Sequence, residues 1–330
     1  MMKEFVRGAA VIAALLGWSS AALSNDSAAE LSIGGLKFMR TNAIAMESEE
    51  LRIALDSINV RYQFANLSGQ PVTLTVAFPL PDIDVSEPEN IVLPAGDPLN
   101  FVAFETRVDG HPAKFSIDQR AWIGDRDVTA LLGQLQFPML PIGTREVRIA
   151  DLPAATRDKL VANGLLIPVG NSDNGRPIYG FAWTVKTSAV RQQTFPADRS
   201  VVVEHRYKPS VGTATDTILR HPLRQTKALA DDLARYRKDY CVTDSFLTGL
   251  DKLAGRAPIQ ERRISYVLRT GANWATPIKT FKLTVDPGGK DRLISFCSTG
   301  LKPVANRPLE FEASSFKPDA DLKILVIGKF

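Results

Sequence analysis

Few residues in this chain have the types and spacing that catalytic chemistry requires. There are 3 histidines and 2 cysteines among 330 residues. The phosphate-binding patterns G-x-x-x-x-G-K-S/T and G-x-G-x-x-G do not occur, and neither does the nucleophilic-serine pattern G-x-S-x-G. The glycine-lysine cluster at 287–290 lies between two predicted strands and indicates a turn. We therefore predict no catalytic residues and no cofactor.

The three histidines lie far apart in the sequence. His111 falls in a turn, His205 lies in a strand, and His221 precedes a proline in a loop. Neighbouring strand residues point to opposite faces, so Glu204 and His205 should point apart. A histidine-carboxylate-nucleophile set could form only through tertiary contacts. The alternative to a non-catalytic protein is therefore a periplasmic hydrolase whose site is assembled from distant segments around His205 or His221.

One acidic loop resembles the start of a calcium-binding loop. Asp82, Asp84 and Ser86 occupy alternate positions, as the first ligands of such a loop do. However, Glu87 stands where a glycine is required, and Leu93 stands where an acidic ligand is required. An exposed acidic loop is the simpler interpretation, with calcium binding as the alternative, and we predict no metal site.

Three residues are candidates for binding. Trp274 follows a turn-like segment that ends at Asn273, and an exposed indole there could stack on a sugar ring or contact a partner protein. This hypothesis requires the indole to be exposed. Arg206 lies in a strand and could form an ion pair or an anion site. Trp122 and Trp183 are expected in the core.

The first segment has the pattern of an export signal. Lys3 and Arg7 precede an apolar stretch at 8–18, and small residues follow up to a predicted cleavage point before Asn25. The apolar stretch is shorter than the ~20 residues of a membrane-spanning helix. No later stretch is long and apolar enough to span a membrane, so we expect a periplasmic or secreted protein.

Export changes the interpretation of the two cysteines. Cys241 and Cys297 lie 56 residues apart, and an oxidising compartment allows them to pair. A disulfide closing such a loop would stabilise the fold by about 4 kcal/mol in the chain-entropy model. Two separate buried thiols are the alternative. The spacing is not that of a C-x-x-C redox pair.

The net charge of +4 is small for this length. It gives no basic patch of the kind that nucleic-acid binding requires. The remaining partners to consider are an envelope protein or a polysaccharide.

The elements that must position these residues are mostly strands. Apolar and polar residues alternate at 51–55, 60–64 and 74–78, which is typical of antiparallel sheets with one buried face. Asp109-Gly110 predicts a hairpin between strands at 101–108 and 114–123. The segment 195–198 predicts another hairpin, between strands at 181–190 and 200–207.

The overall pattern predicts a mainly β protein with two β-sandwich-like halves. After the signal at 1–24, we expect an N-terminal domain at 25–150, a helical linker and loop at 151–176, and a C-terminal β-rich domain at 177–330. Leucines and aromatic residues at helical spacing predict a helical insertion at about 228–254 in the second half.

Several segments together resemble a known family. They are Val60-Arg61-Tyr62-Gln63-Phe64-Ala65-Asn66 followed by Val76-Ala77-Phe78-Pro79-Leu80-Pro81-Asp82, then Gln193-Thr194-Phe195-Pro196, and Tyr266-Val267-Leu268-Arg269-Thr270-Gly271-Ala272-Asn273-Trp274. This ordered set resembles the bacterial family called domain of unknown function 4424. The resemblance implies an exported bacterial protein of unassigned activity and brings no catalytic residues.

The first half also resembles the vault-protein inter-alpha-trypsin domain. The segment Phe78-Pro79-Leu80-Pro81 and the later Val108-Asp109-Gly110 carry this likeness. It implies a β-sandwich used in interaction. The leading functional hypothesis is accordingly a non-catalytic binding or envelope-associated module.

Overall fold

The computed structural model describes residues 27–32, 35–86, 93–142, 146–255, 258–304 and 309–330. The predicted signal at 1–24 and its cleavage point lie outside these residues. The described chain is mainly β, as the sequence predicts.

In the described part of the chain, the strands β1–β21 are Ser27–Ser32, Gly35–Met39, Ile44–Ala54, Ile58–Asn66, Val72–Pro79, Ile83–Asp84, Glu105–Val108, His111–Pro112, Ser116–Ile123, Arg126–Asp127, Leu166–Asn171, Pro177–Phe181, Thr184–Phe195, Val201–Tyr207, Gly212–Ala214, Gln260–Tyr266, Ile278–Asp286, Arg292–Phe296, Lys302–Pro303, Glu310–Phe316 and Leu322–Gly328. The helices α1–α5 are Thr129–Gln134, Ala154–Ala162, His221–Arg224, Ala230–Asp239 and Asp244–Ala254.

The largest sheet, here called the central sheet, has eight strands in the order β19-β20-β17-β3-β4-β14-β7-β8. The alternation between faces is clearest in β4, where Val60, Tyr62 and Phe64 are buried and Asn59 and Arg61 are partly exposed. All neighbours are antiparallel except β3 and β17, which pair in parallel. The sheet therefore has one apolar face and one polar face.

Two further sheets cover the apolar face of the central sheet. A seven-stranded side sheet has the order β10-β9-β13-β5-β1-β2, with β6 also paired to β13. Phe78 of this sheet packs against His205 of the central sheet, with 4.8 Å between ring centroids. A four-stranded sheet, β15-β16-β21-β18, also packs against the central sheet. The hydroxyls of Tyr62, in the central sheet, and Tyr266, in the four-stranded sheet, are 3.1 Å apart. Both layers share one core.

The predicted helical insertion forms a second core. Helices α4 and α5 pack on the outer face of the four-stranded sheet, and Leu250, Leu325 and Ile327 are fully buried between them. Strand β21 is apolar along almost its whole length because both of its faces are covered. The side chain of Thr243 accepts a hydrogen bond from the Phe246 amide and caps α5.

The predicted disulfide forms between these elements. Cys241, just after α4, is bonded to Cys297, just after β18. The bridge therefore joins the end of the first insertion helix to a late strand. Ser295 reinforces the contact, because its hydroxyl donates a hydrogen bond to the Tyr240 carbonyl at 2.9 Å.

The predicted hairpin at 195–198 is wrong. Strand β13 pairs with β5, β9 and β6 in the side sheet, whereas β14 pairs with β4 and β7 in the central sheet. The segment is a corner between two layers, and so is the turn between β4 and β5. Asn66 connects the two corners by donating a hydrogen bond to the Phe195 carbonyl at 2.8 Å.

The predicted hairpin at Asp109-Gly110 is correct only in its turn. Both residues have positive φ, 49° and 79°, as a two-residue hairpin turn requires. The paired strands β7 and β8 are short, and Val108 lies opposite His111. The chain then leaves the central sheet, and β9 pairs with β13 in the side sheet.

Both large sheets combine strands from the two predicted halves. The central sheet takes β3, β4, β7 and β8 from before the loop at 172–176, and β14, β17, β19 and β20 from after it. The segment around that loop forms the hairpin β11–β12. The division at 151–176 remains a prediction about independent folding.

Candidate functional site

A row of alternating charges crosses the polar face of the central sheet. It lies perpendicular to the strands, because each member is the register partner of the next. The row, here called the charge ladder, consists of Lys302, Glu312, Lys282, Glu50, Arg61, Glu204 and Arg107. Every acidic member therefore has a cation on each side.

The ion pairs in the ladder are long and exposed. Arg61 lies 4.0 Å from Glu50 and 3.8 Å from Glu204. All three side chains are 41–50% exposed. Such pairs contribute ~0.2–1 kcal/mol each.

A second row, two residues further along each strand, has a different charge pattern. Its register partners are Glu310, Thr284, Arg52, Asn59, Arg206 and Glu105. Two arginines here flank a neutral asparagine. Arg52 pairs with Asp286, which lies beyond the row. Arg206 forms no ion pair with any residue that the structure describes.

The central residues of both rows line a concavity of about 550 Å³ on the polar face of the central sheet. Strands β17, β3, β4, β14 and β7 all contribute to it. Five cationic and three acidic side chains line it, which leaves a surplus of two positive charges. No phenylalanine, tyrosine or tryptophan is among the lining residues.

A bulge in β3 sets which side chains reach this face. The register of β3 against β4 shifts between Met46 and Ser48. After the shift, Glu49 points inward and is fully buried, while Glu50 and Arg52 point outward. The buried Glu49 accepts a hydrogen bond from the Tyr266 hydroxyl at 3.2 Å. Burial, together with the nearby Tyr62 and Glu49, raises the pKa of Tyr266 well above its usual value.

The structure places the three predicted binding residues in two different regions. Arg206 lies on the charged face, where β14 presents it to solvent. Trp274 is only 4% exposed and packs against Phe64 with 4.6 Å between ring centroids. Asn273 lies beside it, and its carbonyl accepts a hydrogen bond from the Thr41 amide at 3.0 Å. The predicted sugar-stacking role of Trp274 is therefore wrong, because the core covers the indole.

The histidines do not converge. His205 is 3% exposed and lies among Tyr62, Phe78 and Phe104. His221 begins the short helix α3, where its ring contacts Gln225. Of the two tryptophans expected in the core, Trp183 is buried, whereas Trp122 is only half-buried.

The acidic loop uses one carboxylate within a turn. Asp84 accepts hydrogen bonds from the Ser86 amide at 3.0 Å and from its hydroxyl at 2.6 Å. Among the residues that the structure describes, no three histidine, cysteine or acidic side chains form a group that could hold a metal ion. No helix in the described segments is long and apolar enough to cross a membrane.

A second concavity, of about 740 Å³, lies under the hairpin β11–β12 and is mainly apolar. Val169 and Ile178 of this hairpin are exposed beside it. Residues 87–92 and 143–145, which adjoin its lining in sequence, are outside the described part of the chain. All lining residues of the charged concavity are described.

Sequence reasoning identified Arg206 as a possible anion-binding residue but not the rows of charged residues in which it lies. Glu50, Arg52, Arg61 and Glu204 each occupy a polar position of an alternating strand, which was the available signal. That pattern predicts exposure. It does not give the register that aligns residues distant in sequence into a row.

A family described as "Domain of unknown function (DUF4424)" matches residues 24–325. No curated protein matches the chain. The resemblance of the first half to the vault-protein inter-alpha-trypsin domain stays a prediction.

Among solved structures, the chain is similar to a Legionella pneumophila protein provisionally described as nutrient binding. The identity is 15% and the TM-score 0.43, over 94% of this chain and 73% of that one. It is also similar to an M1 zinc metallopeptidase from Deinococcus radiodurans. There the identity is 7% and the TM-score 0.27, over 88% of this chain and 43% of that one.

Proposed function

The chain belongs to the family described as Domain of unknown function (DUF4424), and we propose that it is a non-catalytic binding module whose binding surface is the charged concavity of the central sheet. We further propose that it acts in the cell envelope after export. The sequence pattern at 1–24 and the disulfide between Cys241 and Cys297 support this location.

The observation that carries the proposal is the exposed polar face of the central sheet, whose opposite face packs into the main core. Exposed ion pairs at 3.8–4.0 Å add ~0.2–1 kcal/mol each, so they contribute little to holding the sheet together. Five strands nevertheless direct charged side chains into one concavity, and Arg206 has no ion pair among the described residues. Charged groups arranged in this way give specificity and steering to a binding surface.

Retention of an envelope component by immobilised protein tests this function. We expect wild-type protein to retain a component that the double variant Arg61→Glu/Arg206→Glu does not retain. The matched control is Arg176→Glu/Arg235→Glu, which makes the same charge change at exposed positions away from the sheet. Equal retention by all three proteins would contradict the proposal.

A turnover assay tests the alternative. Purified protein that retains nothing but hydrolyses an envelope substrate would favour the hydrolase assembled from distant segments. Substitution of His205 or His221 would then show whether either histidine contributes.

A further inference from the structure

We infer that Arg52, Asn59 and Arg206 form a clamp for a carboxylate or phosphate group of a slender, soluble ligand. The inference rests on the proposed function and names its ligand class. It concerns the second row of the charged face rather than the charge ladder.

The register supplies the geometry of the clamp. Asn59 lies opposite Arg52 on one side and opposite Arg206 on the other. Neighbouring strands are ~4.8 Å apart, so the two arginines start from backbones ~10 Å apart. Their long side chains can converge above the shorter asparagine. Guanidinium groups bind carboxylates and phosphates through paired hydrogen bonds, and the asparagine amide offers a further donor.

The charge distribution favours an anion at this place. In the ladder, Glu50 and Glu204 each lie between two cations. In the second row, Glu105 is the one acidic register partner of Arg206. Among the described residues, these two side chains form no ion pair. Arg52 is held by Asp286, a pair in which the two side chains are 53% and 37% exposed. To bind Arg52, an anionic ligand therefore has to displace only Asp286, from an ion pair that is exposed to solvent.

The shape of the site favours a slender ligand over a membrane surface. The clamp lies inside a concavity that is five strands, or ~19 Å, wide. A flat layer of lipid headgroups matches this concave surface poorly, so we expect it to reach the clamp less readily than a slender soluble ligand does. An oligonucleotide is also a poor fit, because the lining offers no phenylalanine, tyrosine or tryptophan on which bases could stack.

Calorimetric titration of the full chain at low ionic strength tests the clamp. The probes are trigalacturonate, which carries carboxylates, and inorganic tripolyphosphate. We expect at least one of them to bind, with an affinity that falls as salt is added. Arg206→Gln should raise the Kd about tenfold or more, because a charged hydrogen-bond donor is lost. Glu105→Gln should lower the Kd, because it removes the nearest negative charge.

The controls separate the clamp from general effects of charge and folding. Arg176→Gln changes the net charge equally and should leave the Kd unchanged. If Arg206→Gln fails to fold, Arg52→Gln and Glu105→Gln carry the same test, with opposite expected signs. Flotation with vesicles of phosphatidylglycerol in phosphatidylcholine tests whether the protein binds a membrane surface instead.

Three results would overturn the inference. The first is that folded wild-type protein binds neither soluble probe. The second is that Kd does not change in any of the three row variants. The third is binding to vesicles without binding to a soluble probe. Loss of envelope retention in Arg61→Glu/Arg206→Glu, with neither probe bound, would reject the anion clamp and leave the proposed function standing.

Discussion

Asp82, just before β6, is expected to make stability depend on pH below neutrality. Burial raises its pKa from 3.8 to about 6, and the charge of Lys186 only partly opposes this. The folded state therefore holds the proton more tightly than the unfolded state does. Stability should fall as the pH rises from about 4 to 6, because ionisation must then occur in a buried place.

We expect Asp82→Asn to be more stable than the wild type at pH 7, by about 2 kcal/mol, and equally stable at pH 3. Urea denaturation across this pH range measures the difference. Asp173→Asn, in an exposed loop, is the matched control and should keep the pH dependence of the wild type, because it retains Asp82. Equal stability of wild type and Asp82→Asn at pH 7 would contradict the prediction.

Trp274 should act as a core residue. Its indole is 4% exposed and contacts both Phe64 and Phe195. Trp274→Ala should therefore reduce the free energy of unfolding by ~3–5 kcal/mol. Urea denaturation measures this loss, and the half-buried Trp122, changed to alanine, should cost less. Unchanged stability together with lost sugar binding would restore the surface role.

Among the elements, the helical insertion is held by its apolar core and by two further contacts. One is the disulfide after α4, and the other is a polar cluster between α4 and β16. There the Tyr236 hydroxyl donates to the buried Glu261, and Arg263 donates to Tyr236 at 2.9 Å. Burial, with Glu261 close by, raises the pKa of Tyr236, and burial raises the pKa of Tyr240 to about 12. Both phenols should therefore keep their protons at an alkaline pH at which an exposed tyrosine ionises.

Because this cluster is independent of the disulfide, the fold should survive loss of the bridge. We expect Cys241→Ser/Cys297→Ser to fold but to lose about 4 kcal/mol of stability, as the chain-entropy model gives for a loop of 56 residues. Denaturation with and without reductant measures this. Reductant should destabilise the wild type and leave the double variant unchanged. Equal sensitivity of the two proteins would show that the thiols are not paired.

At the scale of the whole molecule, the two halves of the chain are interleaved. Strand β3 pairs with β17, β4 with β14, and β5 with β13, so three long strand pairs join residues before and after the loop at 172–176. This arrangement favours one cooperative unit. The predicted domains would instead require each half to keep its own sheets.

Cleavage in that loop distinguishes these possibilities. We expect a protease site inserted between Asp173 and Asn174 to yield two fragments that elute together under native conditions and separate only in denaturant. Size-exclusion chromatography measures this. The uncut variant controls for the insertion itself. Two folded fragments that separate without denaturant would support independent domains.

Local patterns predicted much of the architecture. Alternating residues located β3, β4 and β5, and helical spacing located the insertion. The incorrect predictions concern which strands pair with each other. The corner at 195–198 has the composition of a hairpin turn, yet the apolar faces of β13 and β14 belong to different layers. Turn composition is local, and sheet membership is not.

Residue types and short spacings were enough to predict a mainly β protein and a possible disulfide between Cys241 and Cys297. They also show that the phosphate-binding and nucleophilic-serine patterns do not occur. The burial of Trp274 and the alignment of Arg52, Asn59 and Arg206 in one row depend on the three-dimensional fold. The physical reason is that strand register joins residues 147 positions apart through the packing of whole apolar faces, as with Asn59 and Arg206.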